Sequence, residues 1–207
     1  MVRTATSLDA SVDALAAREP AFARALACHG RPVPRSSEPG VESLLRTIVG
    51  QQVSVAAARS MWARLVARFG QPIDLAAIQA ASDEQLREAG LSRQKAGYAR
   101  SLAGLVRSGE LDLAALPADD EDAIALLTRI KGIGRWSAEI YLLFAEGRGD
   151  GWPAGDLAVQ VEIGRMLGLA QRPTEKQARE LAEAWRPHRG AAAVLAWHCY
   201  NQVGSAI

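Results

Sequence analysis

The chain has 207 residues, of which 49% are hydrophobic, and a formal net charge of +1 at pH 7. This length is enough for one domain or for two small lobes that share a core. It contains no run of about 18 apolar residues, so we expect no membrane span. The two cysteines, Cys28 and Cys199, are too few for a zinc site or an iron–sulfur cluster held by four thiolates. The N-terminus lacks an apolar signal core, so we expect a cytoplasmic protein.

Helices are predicted for most of the chain, because alanine and leucine are frequent and β-branched runs are scarce. No alternating pattern indicates a strand, so the sequence predicts an all-α fold. Ser82 with Gln85, and Thr174 with Gln177, form capping boxes that mark two helix starts. In chain order, the predicted helices cover residues 8–18, 20–28, 41–49, 54–69, 82–90, 92–108, 119–130, 136–145, 157–167, 174–185 and 189–203.

An irregular stretch rich in glycine, residues 146–155, separates two of these helices. Loops that carry this much glycine without a packing reason often border functional sites. A plain solvent-exposed loop would have the same composition. The sequence therefore leaves open whether this stretch borders a functional site or is a plain solvent-exposed loop.

A short turn with two glycines, Lys131–Arg135, lies between two predicted helices, and we call it the hairpin turn. Gly132 and Gly134 can adopt backbone angles that other residues resist, and they allow a phosphate to approach the main chain. Backbone N–H groups at the start of the following helix lack intrahelical partners and can bind that phosphate. An ordinary connection between two helices would look similar, so the turn alone does not decide the matter.

The motif LxxIxGIGxWSA over residues 127–138 resembles the helix-hairpin-helix of DNA glycosylases, specifically of the 3-methyladenine DNA glycosylase II family. The resemblance covers about residues 40–203, and it implies a compact, two-lobed helix-hairpin-helix fold without an N-terminal β domain. One lobe would comprise residues 41–145 and the other residues 1–40 with 146–207, and the active site would lie in the cleft between them. Four further segments match the family in order, namely residues 44–58, 90–98, 152–158 and 185–192.

Asp156 follows Gly134 by 22 residues and opens the next predicted helix. A capping role alone would explain an aspartate at that position. In the family that the chain resembles, however, the motif Trp-Pro-x-x-Asp-Leu-Ala holds the essential aspartate. The implied reaction is hydrolysis of the N-glycosidic bond of an alkylated base, such as 3-methyladenine or 7-methylguanine. The carboxylate would stabilise an oxocarbenium-like sugar, activate a water, or both.

Trp136 occupies a position that separates two reaction types. In relatives that also cleave the DNA strand, a lysine two residues after the second hairpin glycine forms a Schiff base with the sugar. Here that position holds Trp136, and Lys131 precedes the first glycine instead. The resemblance therefore implies a monofunctional glycosylase without lyase activity.

A flipped base needs a pocket, and aromatic side chains stack well on electron-poor alkylated bases. Packing in the core would equally explain the tryptophans and the tyrosine among the candidates. His188 stands where some family members place a tryptophan, but a surface position would also explain it. The candidate base-pocket residues are Trp136, Tyr141, Trp185 and His188.

Gln51 and Gln52 lie between two predicted helices. The resemblance implies that this loop inserts a side chain into the gap left by the flipped base, although polar turn residues would look the same. Basic residues among the other candidates could equally belong to a solvated face. The remaining candidate DNA-binding residues are Ser54, Arg93, Lys95, Lys131, Gly132, Ile133, Gly134 and Arg135.

The implied partner is double-stranded DNA that contains alkylated bases, and no metal or cofactor is implied. We expect a monomer that associates with the nucleoid when it binds DNA. Two alternatives stay open at this point: a glycosylase for other damaged bases, and a non-catalytic module that recognises DNA damage. Asp156 in its full motif favours an enzyme over the second alternative.

Overall fold

The computed structural model describes residues 5–204. Over this range it contains α-helices, a short 3-10 helix at Glu183–Trp185 and no β-strand, which confirms the predicted all-α class. None of the helices in the described range is long and apolar enough to cross a membrane. The α-helices are α1 (Ala5–Arg18), α2 (Pro20–His29), α3 (Val41–Gly50), α4 (Val55–Phe69), α5 (Leu75–Ala80), α6 (Asp83–Glu88), α7 (Arg93–Arg107), α8 (Asp120–Leu127), α9 (Arg135–Phe144), α10 (Leu157–Met166), α11 (Glu175–Ala182) and α12 (Arg189–Gly204).

Helix α5 is absent from the helices predicted by the sequence pattern, because six residues are too few to show a helical period. It forms around a strong start signal. The Asp74 carboxylate accepts hydrogen bonds from the backbone N–H of Ala76 at 2.8 Å and of Ala77 at 3.1 Å, and Ile78 is fully buried. Both predicted capping boxes form as expected at the starts of α6 and α11.

The chain divides into two compact units. The terminal unit consists of the residues up to Ser37 together with those from Leu142 onwards, and the central unit consists of Glu38–Tyr141. The sequence predicted a lobe from residue 41 to residue 145, whereas the central unit of the structure runs from residue 38 to residue 141. Helix α9 therefore contributes to both units.

Helix α7 is the central helix of the central unit and packs against α3, α5 and α6. Its buried residues recur every three or four positions, with an adjacent pair at the last of them, which places them on one face of the helix. Three of the four are alanines, which let the neighbouring helices approach closely. The buried residues of α7 are Ala96, Ala99, Leu102 and Ala103.

Helix α12 has the corresponding place in the terminal unit, where it packs against α1, α2 and α10. After Arg189, its N-terminal half is apolar and buried from residue 190 to residue 196, as expected for a core helix. Beside it, Trp185 contacts two aromatic rings edge-on, Phe22 at 5.0 Å and Trp152 at 5.5 Å between ring centroids. This aromatic group closes the core next to the segment that leads to Asp156.

Candidate active site and nucleic-acid interface

Asp156 is the N-cap residue of α10. A tight turn places it there, because its backbone N–H donates to the carbonyl of Pro153 at 2.9 Å. Its Oδ1 accepts the backbone N–H of Val159 at 3.0 Å and the indole N–H of Trp197 at 3.0 Å. The carboxylate is half-buried at the N-terminal, positive end of the α10 helix dipole.

Sequence reasoning missed Trp197, which lies 41 residues after Asp156 on helix α12. Its ring is half-buried and packs at a tilt against Phe144, with 5.7 Å between ring centroids. The sequence pattern around Trp197, an alanine-rich core helix, predicts a packing residue. No local sequence pattern indicates a hydrogen bond to a carboxylate 41 residues away. The structure therefore adds Trp197 to the residues around Asp156.

A cavity of about 580 Å³ in the terminal unit borders the Trp197 ring. Its wall combines aromatic and aliphatic groups with side chains that can donate or accept hydrogen bonds. This mixture is typical of small-molecule sites. The cavity is lined by Pro32, Val33, Arg35, Phe144, Val194, Trp197, His198, Asn201 and Gln202.

The glycine-rich stretch of residues 146–155 is held by ion pairs and a backbone hydrogen bond. Asp150 in this stretch accepts hydrogen bonds from Arg189 Nε at 3.0 Å and from an Arg186 guanidinium nitrogen at 2.6 Å. Gly190 N–H donates to the carbonyl of Gly149 at 3.0 Å, and an added Cβ at Gly190 would lie 2.6 Å from that carbonyl oxygen. These contacts hold the stretch against the start of α12.

His188 is half-buried and lies immediately before helix α12. The backbone N–H of His188 donates to the Trp185 carbonyl at 2.8 Å, and the His188 carbonyl accepts the backbone N–H groups of Ala191 and Ala192. The structure thus fixes the backbone of His188, while its role in a base pocket stays a prediction.

Trp185 and Tyr141 are buried, as the alternative of core packing predicts, and their role in a base pocket stays a prediction. Trp185 is 4% exposed and belongs to the aromatic core group with Phe22 and Trp152. Tyr141 is also 4% exposed, and its hydroxyl accepts the backbone N–H of Gly40 at 2.8 Å. Trp136 differs from both, because it is 46% exposed in the first turn of α9.

Only one glycine of the hairpin turn needs a conformation that other residues resist. Gly132 has φ of +83°, and an added Cβ would overlap the ring of Tyr98 on α7. Gly134 has no positive φ, and the space around it is open to 4 Å. The expectation that both glycines supply unusual backbone angles is therefore wrong for Gly134, whereas open space at its Cα remains compatible with a close phosphate.

The interior of the hairpin turn is ordered by its own contacts. Ile133 is 3% exposed, so its side chain faces the core and any DNA contact would use its backbone. Its N–H donates to the Ile130 carbonyl at 3.0 Å, and the Lys131 N–H donates to the hydroxyl of Ser101 at 3.1 Å. The Lys131 side chain is exposed.

The positive charge expected around the turn is partly neutralised. Arg135 forms ion pairs with Glu121 and, at 3.0 Å, with the buried Glu139. Hydrogen bonding to Glu121 raises the pKa of Arg135 above its usual value. Arg129 is likewise paired with Glu110. Backbone N–H groups and Lys131 are therefore better placed than Arg135 to meet a phosphate.

The loop between α3 and α4 contacts the hairpin turn directly. Gln51 Nε2 donates to the carbonyl of Gly132 at 2.8 Å. Gln52 is exposed and has φ of +55°, a left-handed conformation that is costly for a residue with a side chain. Ser54 caps α4, and its hydroxyl accepts the N–H of Ala57 at 3.2 Å.

Lys95 and Arg93 lie in the first turn of α7 and differ in their surroundings. Lys95 Nζ donates to the carbonyl of Val49 at the end of α3, at 2.7 Å, and burial lowers the pKa of Lys95. A phosphate contact of Lys95 would have to compete with its hydrogen bond to the Val49 carbonyl. Arg93 is exposed and has no such competing bond to Val49. In the central unit the structure thus brings together Gln51, Gln52, Lys95 and Gly132, which border one hollow of about 340 Å³.

Comparison with known proteins finds one family whose model covers most of the chain. Residues 45–187 match the HhH-GPD superfamily of base excision DNA repair proteins. DNA-3-methyladenine glycosylase 1 of Schizosaccharomyces pombe is 32% identical over 160 residues, covering 75% of this chain and 70% of the relative. DNA-3-methyladenine glycosylase 2 of Escherichia coli is 30% identical over 170 residues, covering 76% and 56%. The chain thus spans little more than half the length of the E. coli relative.

Solved structures give a similar result. A DNA-3-methyladenine glycosidase from Bacillus halodurans superposes with a TM-score of 0.84 at 30% identity, covering 94% of this chain and 91% of that one. The S. pombe 3-methyladenine DNA glycosylase Mag1, in complex with abasic DNA, gives a TM-score of 0.76 at 27% identity, covering 94% and 96%. The predicted resemblance to 3-methyladenine DNA glycosylases is confirmed.

Proposed function

We propose that this chain, which belongs to the HhH-GPD superfamily of base excision DNA repair proteins, is a DNA glycosylase that hydrolyses the N-glycosidic bond of alkylated bases. The observation that carries the proposal is the placement of Asp156. Its carboxylate caps α10 and is held by N–H donors from two helices, and it lies in a motif that matches the essential aspartate of the family.

The chemistry follows from the charge that develops on the sugar. As the base departs, the deoxyribose acquires oxocarbenium character, and a fixed carboxylate stabilises that positive charge. The same carboxylate can orient the attacking water. Bases such as 3-methyladenine and 7-methylguanine carry positive charge themselves and leave readily, so one carboxylate suffices without a paired general acid.

We propose that the reaction ends at hydrolysis, without strand cleavage. The position at which lyase relatives carry a Schiff-base lysine is Trp136 here, and its indole has no nucleophilic amine. Lys131, on the other side of the hairpin glycines, has an exposed side chain. An exposed lysine in that place is suited to a phosphate rather than to the sugar.

Double-stranded DNA with alkylated bases is the partner we propose, bound by a monomer in the cytoplasm at the nucleoid. The support for DNA is the hairpin turn, with its open main chain at Gly134, beside the exposed Gln52 of the neighbouring loop. Gel filtration of the protein with and without a lesion-containing duplex tests the monomer. A complex larger than one protein per duplex would contradict it.

Asp156→Asn tests the proposed reaction. Asparagine keeps a side-chain oxygen for the Val159 and Trp197 donors, so the variant should fold and bind DNA, but it lacks the negative charge. We expect release of 3-methyladenine and 7-methylguanine from methylated DNA to fall at least a hundredfold, within the range that charge stabilisation supplies in enzymes. Asp74→Asn is the matched control, since Asp74 caps α5 in the same way and should retain full activity.

Two results would overturn the proposal. Wild-type protein that binds damaged duplexes but releases no base would indicate a non-catalytic recognition module. Release of oxidised or mismatched bases but not alkylated ones, from a panel of duplexes with one lesion each, would indicate a glycosylase of different specificity.

A further inference from the structure

We propose that Glu121 limits the affinity of the protein for undamaged DNA, by holding the guanidinium of Arg135 away from the phosphate backbone. The inference rests on the proposed function and goes beyond it, because it concerns DNA that contains no lesion. It is carried by the contacts of Arg135, the residue that directly follows the hairpin glycines.

The segment around the hairpin turn has no excess of positive charge. Residues 119–135 contain three basic residues, Arg129, Lys131 and Arg135, and four acidic residues at positions 119–122, so the formal charge of the segment is −1. Proteins gain most of their affinity for undamaged DNA by neutralising phosphates with lysine and arginine. A negative segment at the proposed phosphate contact therefore opposes that kind of binding.

The acidic residues also have an ordinary structural role at the start of α8. The Asp119 carboxylate accepts the backbone N–H of Glu121 at 2.8 Å and of Asp122 at 3.0 Å, and negative charge in a first turn favours the helix dipole. This role does not require any arginine. The Glu121 side chain does more, because it reaches from α8 to Arg135 at the start of α9.

Two carboxylates occupy the Arg135 guanidinium. Both of its terminal nitrogens donate to Glu121, Nη1 to Oε2 at 2.8 Å and Nη2 to Oε1. The Nε of Arg135 donates to Oε1 of Glu139 at 3.0 Å. Arginine binds phosphate through the same two-pronged geometry, so a phosphate and Glu121 compete for the terminal nitrogens.

The two ion pairs of Arg135 differ in exposure. The Glu139 side chain is 3% exposed, whereas that of Glu121 is 67% exposed, and an exposed ion pair is weak. Without the Glu121 carboxylate, Nε would stay on Glu139 while the terminal nitrogens became available. They would then be available beside Gly134, where the main chain is open to 4 Å.

The consequence is a difference in affinity for every duplex. One additional arginine–phosphate contact makes the dependence of log K on log salt concentration steeper by about 0.9 and, at ~0.1 M salt, tightens binding about three- to tenfold. By preventing this contact, Glu121 lets the protein leave undamaged DNA more readily.

Substitutions at Glu121 test the proposal with an undamaged duplex and fluorescence anisotropy over a range of salt concentrations. Glu121→Gln removes the charge, and Glu121→Ala removes the acceptor as well. We expect both variants to bind about three- to tenfold more tightly than wild type at ~0.1 M salt, with a slope steeper by about 0.9. Glu88→Gln is the matched control, because Glu88 forms an exposed ion pair with Arg68 at 2.9 Å in the same unit. It should change neither affinity nor slope.

A double variant shows whether the gain in affinity comes from Arg135. Glu121→Gln should tighten binding in the wild-type background and leave it unchanged in the Arg135→Gln background. A gain that persists without Arg135, or the absence of any gain in both Glu121 variants, would overturn the proposal. Tighter binding by Glu121→Gln together with no release of alkylated bases by wild type would overturn the proposed function alone, which distinguishes the two failures.

Discussion

The ring of Tyr98 on α7 fills the space that a side chain at Gly132 would need. Because Gly132 also has φ of +83°, the hairpin turn is fixed by backbone conformation and by packing at the same residue. The two glycines of the motif therefore serve different purposes, which substitutions can separate.

Gly132→Ala should destabilise the central unit. The new methyl group would have to displace the Tyr98 ring while the backbone keeps a left-handed φ, and together these cost at least about 2 kcal/mol. Thermal denaturation should show a melting temperature lower by about 4 °C or more. A melting temperature equal to that of wild type would contradict the packing role of Gly132.

Gly134→Ala should leave stability nearly unchanged and weaken DNA binding. A Cβ at this position meets nothing within 4 Å, and helix start positions tolerate alanine, so stability should stay within about 0.5 kcal/mol of wild type. Affinity for duplex DNA should nevertheless fall, because the methyl group would stand between the main chain and a phosphate. Fluorescence anisotropy measures this affinity, and unchanged binding would mean that the phosphate does not contact the turn.

Gln52→Gly should separate stability from activity. Glycine adopts φ of +55° without strain, so the free protein should be as stable as wild type or more stable by up to about 1 kcal/mol. Base release should fall, because the side chain proposed to enter the duplex is missing. Gln52→Ala is the control, which should lose activity without any gain in stability. Full activity of both variants would remove Gln52 from the DNA interface.

Borohydride treatment should trap no covalent protein–DNA adduct. A Schiff base needs a lysine near the sugar, and the sequence holds three lysines, Lys95, Lys131 and Lys176, none of them at position 136. A strand-cleaving glycosylase treated in parallel provides the positive control on a denaturing gel. An adduct that appears with wild type and disappears in Lys131→Arg would show lyase activity instead.

Cys199 should make stability fall above pH 9. Burial raises the pKa of Cys199 to about 11 from a usual value of 9.0. Between these values the unfolded thiol ionises while the folded thiol remains protonated, which favours the unfolded chain as pH rises. This difference in the pKa of Cys199 between the folded and unfolded chain lowers the free energy of unfolding by at most about 2.7 kcal/mol. Urea unfolding at pH 8.5 and 10.5 should show a smaller pH-dependent loss in Cys199→Ala, and an equal loss would contradict the assignment.

Local signals in the sequence were enough for much of this structure. The capping boxes at Ser82 and Thr174 act through residues three apart, and both form as predicted. Asp156 could be placed at a helix start for the same reason, since the turn and the helix around it are set within a few residues. The motif then identified the family from the same short segments.

Contacts between distant segments could not be predicted in this way. The bond from Trp197 to Asp156 joins residues 41 apart, and Arg135 is neutralised by Glu121 on another helix. Each depends on how helices pack, which residue type and period do not specify. For Trp185 the sequence left a base-pocket role and core packing open, and only the packing of the helices shows that it contacts Phe22 and Trp152 in the core.

The hydrogen bond from Gln51 to the Gly132 carbonyl sets a fixed distance within the central unit. If the hairpin turn holds a phosphate and the Gln52 side chain enters the duplex, the separation between these two points on the DNA is determined by the protein before any lesion is met. That separation would then be the same in every duplex that the protein binds.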